Sequence, residues 1–171
     1  MSYSARVYKV FIASPNDVPE EREIVRSVLA RWNAVHSEMY NMVLLPVSWE
    51  THAASEVGQA AQEYINEYIL DKCDILIGIF WTRVGTPTKN YNGGSVEEIS
   101  RHVGAHKPTM LYFSNKPIPP NADLDQIQMV RSLKEMYKNN SFYKEYLDLH
   151  TLYPRSEEHT SELQSHHEHV C

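Results

Sequence analysis

A short polar turn joins the first apolar segment of the chain to its first helical segment, and its side chains could bind an anion. Ser14, Pro15, Asn16 and Asp17 form this turn. Glu20 follows Asp17 at the spacing of a capping box, so Asp17 is predicted to cap the helix. The first turn of a helix presents unpaired N–H groups, which attract phosphate or carboxylate. The turn is therefore either a simple helix cap or one wall of a nucleotide site.

Glu98, in the segment GGSVEEI, could perform acid–base or charge-stabilising chemistry. It is predicted to lie in the first turn of a helix, where helical spacing turns it away from Val96 and Ile99. Ser95 and Glu98 also have the spacing of a capping box, which requires no ligand. The sequence leaves two roles open for Glu98, a catalytic carboxylate and a helix cap.

The elements that would position these residues alternate between strands and helices, a pattern typical of a parallel sheet covered on both faces. The first strand contains Val7, Val10, Phe11 and Ile12, all expected to be buried, and the others are predicted at residues 43–49, 75–81, 109–114 and 142–146. The first helix is predicted from the Asp17 cap to before Asn41, with an apolar stripe of Ile24, Val25, Val28, Leu29, Trp32 and Val35. Further helices are predicted over residues 57–69, from the cap at Ser95 to before Pro108, and over residues 123–139, with a last one from about 148. Single helical crossovers favour an α/β, flavodoxin-like three-layer sandwich with five parallel strands in the order 2-1-3-4-5.

This strand order predicts where a ligand would bind. The cleft of such folds lies beyond the carboxyl ends of the first and third strands. The polar turn leaves the first strand, the long loop at residues 82–94 leaves the third, and Trp49 leaves the second beside them. Long loops in compact domains are commonly functional, so we expect a binding site between the two loops.

Composition and motifs exclude several function classes. The formal net charge is −6, which gives no electrostatic footprint for nucleic acid. There is no signal peptide or apolar run near the ~20 residues of a membrane helix, so we expect a soluble, cytoplasmic protein without membrane contact. Cys73 is predicted to be a packed core thiol. The phosphate loop, the dinucleotide glycine fingerprint and the serine hydrolase elbow are all missing.

The end of the chain lacks the apolar periodicity of the preceding residues. Residues 155–165 read RSEEHTSELQS, which matches the in-frame translation of a sequencing-library adapter. We therefore expect one domain at residues 1–154, truncated in its last helix, and a non-native, disordered tail at 155–171. The histidines of the tail are not interpreted as a metal site. Without the tail, which carries one Arg and four Glu, the net charge changes from −6 to −3.

Four motifs, in this order and spacing, connect the chain to a known group: VFIASPND, IFWTRVG, GGSVEEI and VRSLKEMYKNNSFYKEYLDLH. Over residues 7–152 the chain resembles bacterial TIR-like domains, which are similar to Toll/interleukin receptor domains and often stand at the N-terminus of larger signalling proteins. The helix start Gly-Ser-x-x-Glu is also similar to that of nucleoside deoxyribosyltransferases.

The resemblance implies cleavage of the nicotinamide–ribose bond of NAD, which is a substrate here, with no cofactor or metal. Glu98 matches the catalytic glutamate, whose carboxylate would stabilise the oxocarbenium character of the ribose. Self-association and a missing C-terminal domain in cis are also implied, in a signalling or bacterial defence protein. The substrate-binding residues would be Ser14, Asn16, Asp17, Trp49, Trp81, Arg83 and Ser95.

Two other function classes stay open. One is a non-catalytic assembly module that uses TIR-like contacts, because a fold alone does not establish a function. The other is a nucleotide-binding sensor or a nucleoside glycosyl-transfer enzyme with a different ligand in the same cleft.

Overall fold

The computed structural model describes residues 2–48, 69–85, 94–139 and 142–152. Strands and helices alternate through these ranges in the order β1 Arg6–Ala13, α1 Pro19–Tyr40, β2 Met42–Val47, β3 Ile75–Phe80, α2 Gly94–Gly104, β4 Thr109–Ser114, α3 Leu124–Tyr137 and β5 Tyr143–Tyr146. Residues 69–71 and 149–152 are also helical. The rest of the predicted helix at 57–69, Trp49 and the predicted tail lie outside the described residues.

The strands form one sheet in the order β2-β1-β3-β4-β5, and every neighbouring pair is parallel. The predicted flavodoxin-like α/β fold is therefore confirmed. β1 and β3 are adjacent, with Ala13 opposite Gly78. Because parallel strands end at the same edge of a sheet, the segments that follow β1 and β3 start side by side.

Two apolar clusters cover the two faces of the sheet. On one face, Val25 and Trp32 of α1 pack with Ile77 of β3. On the other face, Ile99 of α2 and Val130 of α3 pack with alternate residues of the same strand. All six residues of β3 are buried, as expected for a central parallel strand covered on both sides.

Two predicted core residues are exposed instead. Val7 is 52% exposed because β3 pairs with β1 only from Val10 onward, which leaves the start of β1 without a neighbour on that side. Val35 is 61% exposed. After Trp32 the inward side of α1 continues with half-buried His36 and buried Ser37, and this leaves Val35 on the outward side.

The element boundaries differ little from the predictions. β4 occupies the predicted residues, while β2 ends at Val47 rather than at 49. Cys73 is buried, as predicted, and its Sγ donates to the Ile69 carbonyl at 3.2 Å. No helix in the described ranges is long and apolar enough to cross a membrane.

Candidate functional site

Arg22 determines the shape of the turn that follows β1. Its Nε donates a hydrogen bond to the Ser14 hydroxyl at 2.7 Å, and its Nη2 donates to the Ser14 and Pro15 carbonyls at 3.4 and 3.1 Å. Both side chains are nearly buried, at 6% exposure for Arg22 and 5% for Ser14. The Ser14 hydroxyl therefore contacts the protein itself, and Asn16 is the exposed polar side chain of the turn.

Asp17 binds the loop after β3 rather than the helix it was predicted to cap. Its Oδ2 accepts hydrogen bonds from the Thr82 N–H at 2.9 Å and from the Thr82 hydroxyl at 2.8 Å. The N-cap residue of α1 is Val18, without a side-chain cap, so the predicted Asp17–Glu20 capping box is wrong. Thr82 offers two donors to one carboxylate, and this tertiary contact replaces the local one.

The first turn of α1 keeps donors that no capping side chain occupies. Pro19, at the start of the helix, has no N–H to satisfy. Glu20 and Glu21 follow it and place negative charge at the positive end of the helix dipole. An anion bound here would accept hydrogen bonds from backbone N–H groups and would be repelled by these two carboxylates.

Gln126 holds the same β3 loop from the other side of the sheet. It lies in the first turn of α3, is 6% exposed, and accepts a hydrogen bond from the Val84 N–H at 3.0 Å. Asp123 caps α3 by accepting from the Asp125 and Gln126 N–H groups, which orients this turn. Arg83, between the two bound positions, is exposed.

Trp81 has an internal contact on one face of its ring. The Lys116 Nζ lies 5.6 Å from the ring centroid, and the Trp81 Nε1 donates to the Lys116 carbonyl at 3.4 Å. The same ammonium group donates to Glu21 Oε1 at 2.5 Å, and the Tyr146 hydroxyl donates to that oxygen at 3.3 Å. Burial, together with the charge of Glu21, raises the pKa of Tyr146.

Glu98 lies near the start of α2, next to fully buried Ile99, and its own side chain is half-buried. Burial, and to a smaller extent the charge of Glu97, raises the pKa of Glu98 from 4.5 to about 8. α2 begins at Gly94, ahead of Ser95, which is 8% exposed. Ser95 therefore lies within α2 rather than at its N-cap, the position that a capping box with Glu98 requires.

The predicted site residues thus fall into two groups. Ser14, Asn16 and Asp17 lie beside Trp81 and Arg83 at the carboxyl edge of β1 and β3, whereas Ser95 and Glu98 lie on α2. No described hydrogen bond joins Glu98 to the polar turn, and residues 86–93 between the groups lie outside the described part of the chain.

Several residues that organise this edge were not among the predicted site residues. Arg22, Glu21, Lys116 and Gln126 are charged or polar, and all but Lys116 are buried. One sequence signal was available for Glu21 and Arg22: they precede the apolar Val25 by four and three residues, spacings that place side chains on the same face of a helix. The described residues hold no cluster of His, Cys, Asp and Glu suited to a metal ion.

Comparison with known proteins gives one family match. The model of a family described as "Domain of unknown function (DUF4062)" matches residues 9–161 and so ends within the predicted tail. Among curated proteins, none matches the sequence significantly.

Several solved structures are similar at low sequence identity. A conserved protein from Enterococcus faecalis V583 is 16% identical, with 87% of each chain covered and a TM-score of 0.43. Oxidised flavodoxin 1 from Bacillus cereus is 9% identical, with 94% of this chain and 97% of that chain covered and a TM-score of 0.40. An azoreductase from Bacillus anthracis str. Sterne is 11% identical, with 92% and 96% covered and a TM-score of 0.37. None of these matches names a TIR domain.

Proposed function

The chain belongs to the DUF4062 family of domains of unknown function, and from its own candidate site we propose a TIR-like domain that cleaves the nicotinamide–ribose bond of NAD. In this proposal Glu98 is the catalytic carboxylate. Water adds to the ribose carbon as the bond to nicotinamide breaks. The bonding electrons leave with the ring nitrogen, so the products are neutral nicotinamide, ADP-ribose and a proton.

The environment of Glu98 is the observation that carries this proposal. A half-buried carboxyl group whose pKa is raised to about 8 is costly to ionise unless positive charge lies near it. The nicotinamide ring of NAD carries a positive charge, and bond breaking moves this charge onto the ribose. A carboxylate beside the ribose therefore interacts more strongly with the transition state than with bound NAD, whose positive charge is still on the nicotinamide ring, and this difference is what catalysis requires.

The position of the site also supports a nucleotide ligand. The connections after β1 and β3 lead to helices on opposite faces of the sheet, which opens a crevice between them. Because the Ser14 hydroxyl and the Asp17 carboxylate already bind protein groups, phosphate binding is assigned to backbone N–H groups at the start of α1. Exposed Arg83 is the side chain assigned to the diphosphate.

Nicotinamide release by the whole chain tests the proposal. The protein is assayed with NAD at high concentration and after artificial clustering, beside the variants Glu98→Gln and Glu38→Gln. Glu38 is an exposed residue of α1 and serves as the matched control. We expect release by the wild type and by Glu38→Gln, and a loss of at least about a hundredfold in Glu98→Gln.

Two results would contradict the proposal. Equal release by wild type and Glu98→Gln would remove Glu98 from the chemistry. Absence of release from a folded, clustered wild type would favour the assembly-module alternative, which sedimentation of the same samples would then examine.

A further inference from the structure

We propose that Asp17 and Gln126 are positioning residues that hold the start of the β3–α2 loop, and with it Arg83, which lies between the two bound positions. The part of this inference that concerns substrate rests on the proposed function, which assigns Arg83 to the diphosphate of NAD. Its structural part concerns only hydrogen bonds among described residues. We call Asp17 and Gln126 the two loop anchors.

The loop anchors act where the sheet stops providing acceptors. The pairing of β3 with β1 ends at Gly78, opposite Ala13, and its pairing with β4 ends at Phe80, opposite Phe113. Beyond these positions the backbone of β3 has no neighbouring strand. The next described N–H groups that bind side chains are those of Thr82 and Val84, and each is bound by one loop anchor.

The loop anchors reach the loop from separate parts of the fold. Asp17 belongs to the turn between β1 and α1, on one side of the crevice, whereas Gln126 belongs to α3, on the opposite face of the sheet. Asp17 is 65 residues from Thr82 in sequence, and Gln126 is 42 residues from Val84. The loop start is therefore fixed with respect to both walls of the candidate site.

Burial makes these bonds important for the local structure. Thr82 is 6% exposed, Val84 is fully buried, and Gln126 is 6% exposed. Water cannot replace an acceptor at such positions, so loss of an anchor leaves a buried N–H group unpaired or forces the backbone to move. Movement of the loop start would shift Arg83, which lies between the two bound positions.

The chain offers a matched rescue variant for each anchor. The amide oxygen of Asn can accept both bonds that Thr82 donates, so Asp17→Asn keeps the contact, whereas Asp17→Leu removes it. Likewise Gln126→Glu keeps an acceptor for Val84, and Gln126→Met removes it at similar volume. A role that depends on the hydrogen bond predicts a difference within each pair.

Two readouts test the proposal, and one of them is independent of activity. Amide hydrogen exchange is followed at Thr82, Val84 and the first turns of α2 in all four variants. In the same samples, kcat and KM for nicotinamide release are measured per folded molecule. We expect Asp17→Leu and Gln126→Met to raise exchange at the loop start about tenfold or more and to raise KM about tenfold, with the rescue variants within about twofold of wild type.

The outcomes separate this inference from the proposed function. A lower melting temperature in Asp17→Leu and Gln126→Met, with exchange at the loop start unchanged from the rescue variants, overturns the positioning role. If the wild type releases no nicotinamide, the proposed function fails, and the exchange pattern alone decides the structural part. If exchange rises as expected while KM stays unchanged, the loop anchors hold the loop but do not position Arg83 for the substrate.

Discussion

The carboxylate of Glu21 and the ammonium group of Lys116 form an ion pair at 2.5 Å across 95 residues of sequence. Glu21 is 2% exposed and Lys116 is 25% exposed, so the pair joins the buried first turn of α1 to the segment after β4. The Tyr146 hydroxyl donates to the same carboxylate oxygen. One edge of the candidate site is thus held by a charged contact in the protein interior.

Removal of Lys116 is expected to destabilise the protein measurably. Lys116→Met leaves the buried Glu21 carboxylate with Tyr146 as its neutral donor, and we expect a loss of about 2 kcal/mol in the free energy of unfolding. The comparison is Lys138→Met, which breaks an exposed pair with Glu135 and should cost less than about 1 kcal/mol. Urea unfolding of the three proteins measures both values. Equal losses of unfolding free energy in the two variants would show that burial does not increase the contribution of the Glu21–Lys116 pair to stability.

Glu98 is expected to make the folded state less stable as the pH rises. Its pKa is about 8 in the folded protein and near 4.5 in the unfolded chain, so between these values the folded state binds the extra proton. Stability is therefore lost as the pH rises from 4.5 through 8. Glu98→Gln should be more stable than wild type at pH 8.5, with the difference shrinking towards pH 5. Thermal unfolding at both pH values measures this, and Glu38→Gln should show no such trend.

The raised pKa of Glu98 also predicts the pH dependence of NAD cleavage. If the ionised form of Glu98 stabilises the transition state, kcat/KM should rise with pH and level off above a pKa near 8, because kcat/KM reports the free enzyme. The cationic nicotinamide ring of the bound substrate favours the ionised carboxylate, so the midpoint for kcat should lie at lower pH. Initial rates of nicotinamide release from pH 6 to pH 9.5 measure both midpoints. Rates that fall with rising pH over this range would exclude the ionised carboxylate.

His102 is expected to contribute to acid denaturation. It is 2% exposed on α2, its Nε2 has no partner among the described residues, and burial and the charge of Lys107 lower its pKa from 6.5 to about 4. The unfolded chain binds the proton first, so stability is lost as the pH falls from 6.5 towards 4. In His102→Gln this part of the pH dependence should disappear, while the exposed control His150→Gln should retain it. Urea midpoints at pH 7 and pH 4.5 measure the difference.

Cys73 is expected to be unreactive in the folded protein. Burial and the neighbouring Asp74 raise the pKa of its thiol to about 11, and the side chain is 1% exposed. In a Cys171→Ser variant, where Cys73 is the remaining cysteine, alkylation by iodoacetamide should be blocked until urea unfolds the protein. Rapid alkylation without denaturant would contradict the buried position.

The strands and their order could be predicted because the signals are local and repeated. β3 is a continuous apolar run, and the single helical segments between strands restrict the topology to a few orders. β4 and the start of α3 near Asp123 were predicted closely for the same reason. The exposure of Val7 and Val35 was not predicted. It depends on where the strand next to β1 begins and on which residues of α1 pack inward after Trp32.

The candidate site was predicted in position but not in its contacts. The sequence by itself determined the parallel α/β fold, the edge at which the turn after β1 and the loop after β3 meet, and the place of Glu98 after that loop. The tertiary structure decided that Asp17 binds Thr82, that Arg22 binds Ser14 and that Gln126 binds Val84. A carboxylate at a helix start has the same local sequence whether it caps the helix or binds elsewhere. Only the folded chain brings the competing donor of Thr82, 65 residues away, within hydrogen-bonding distance.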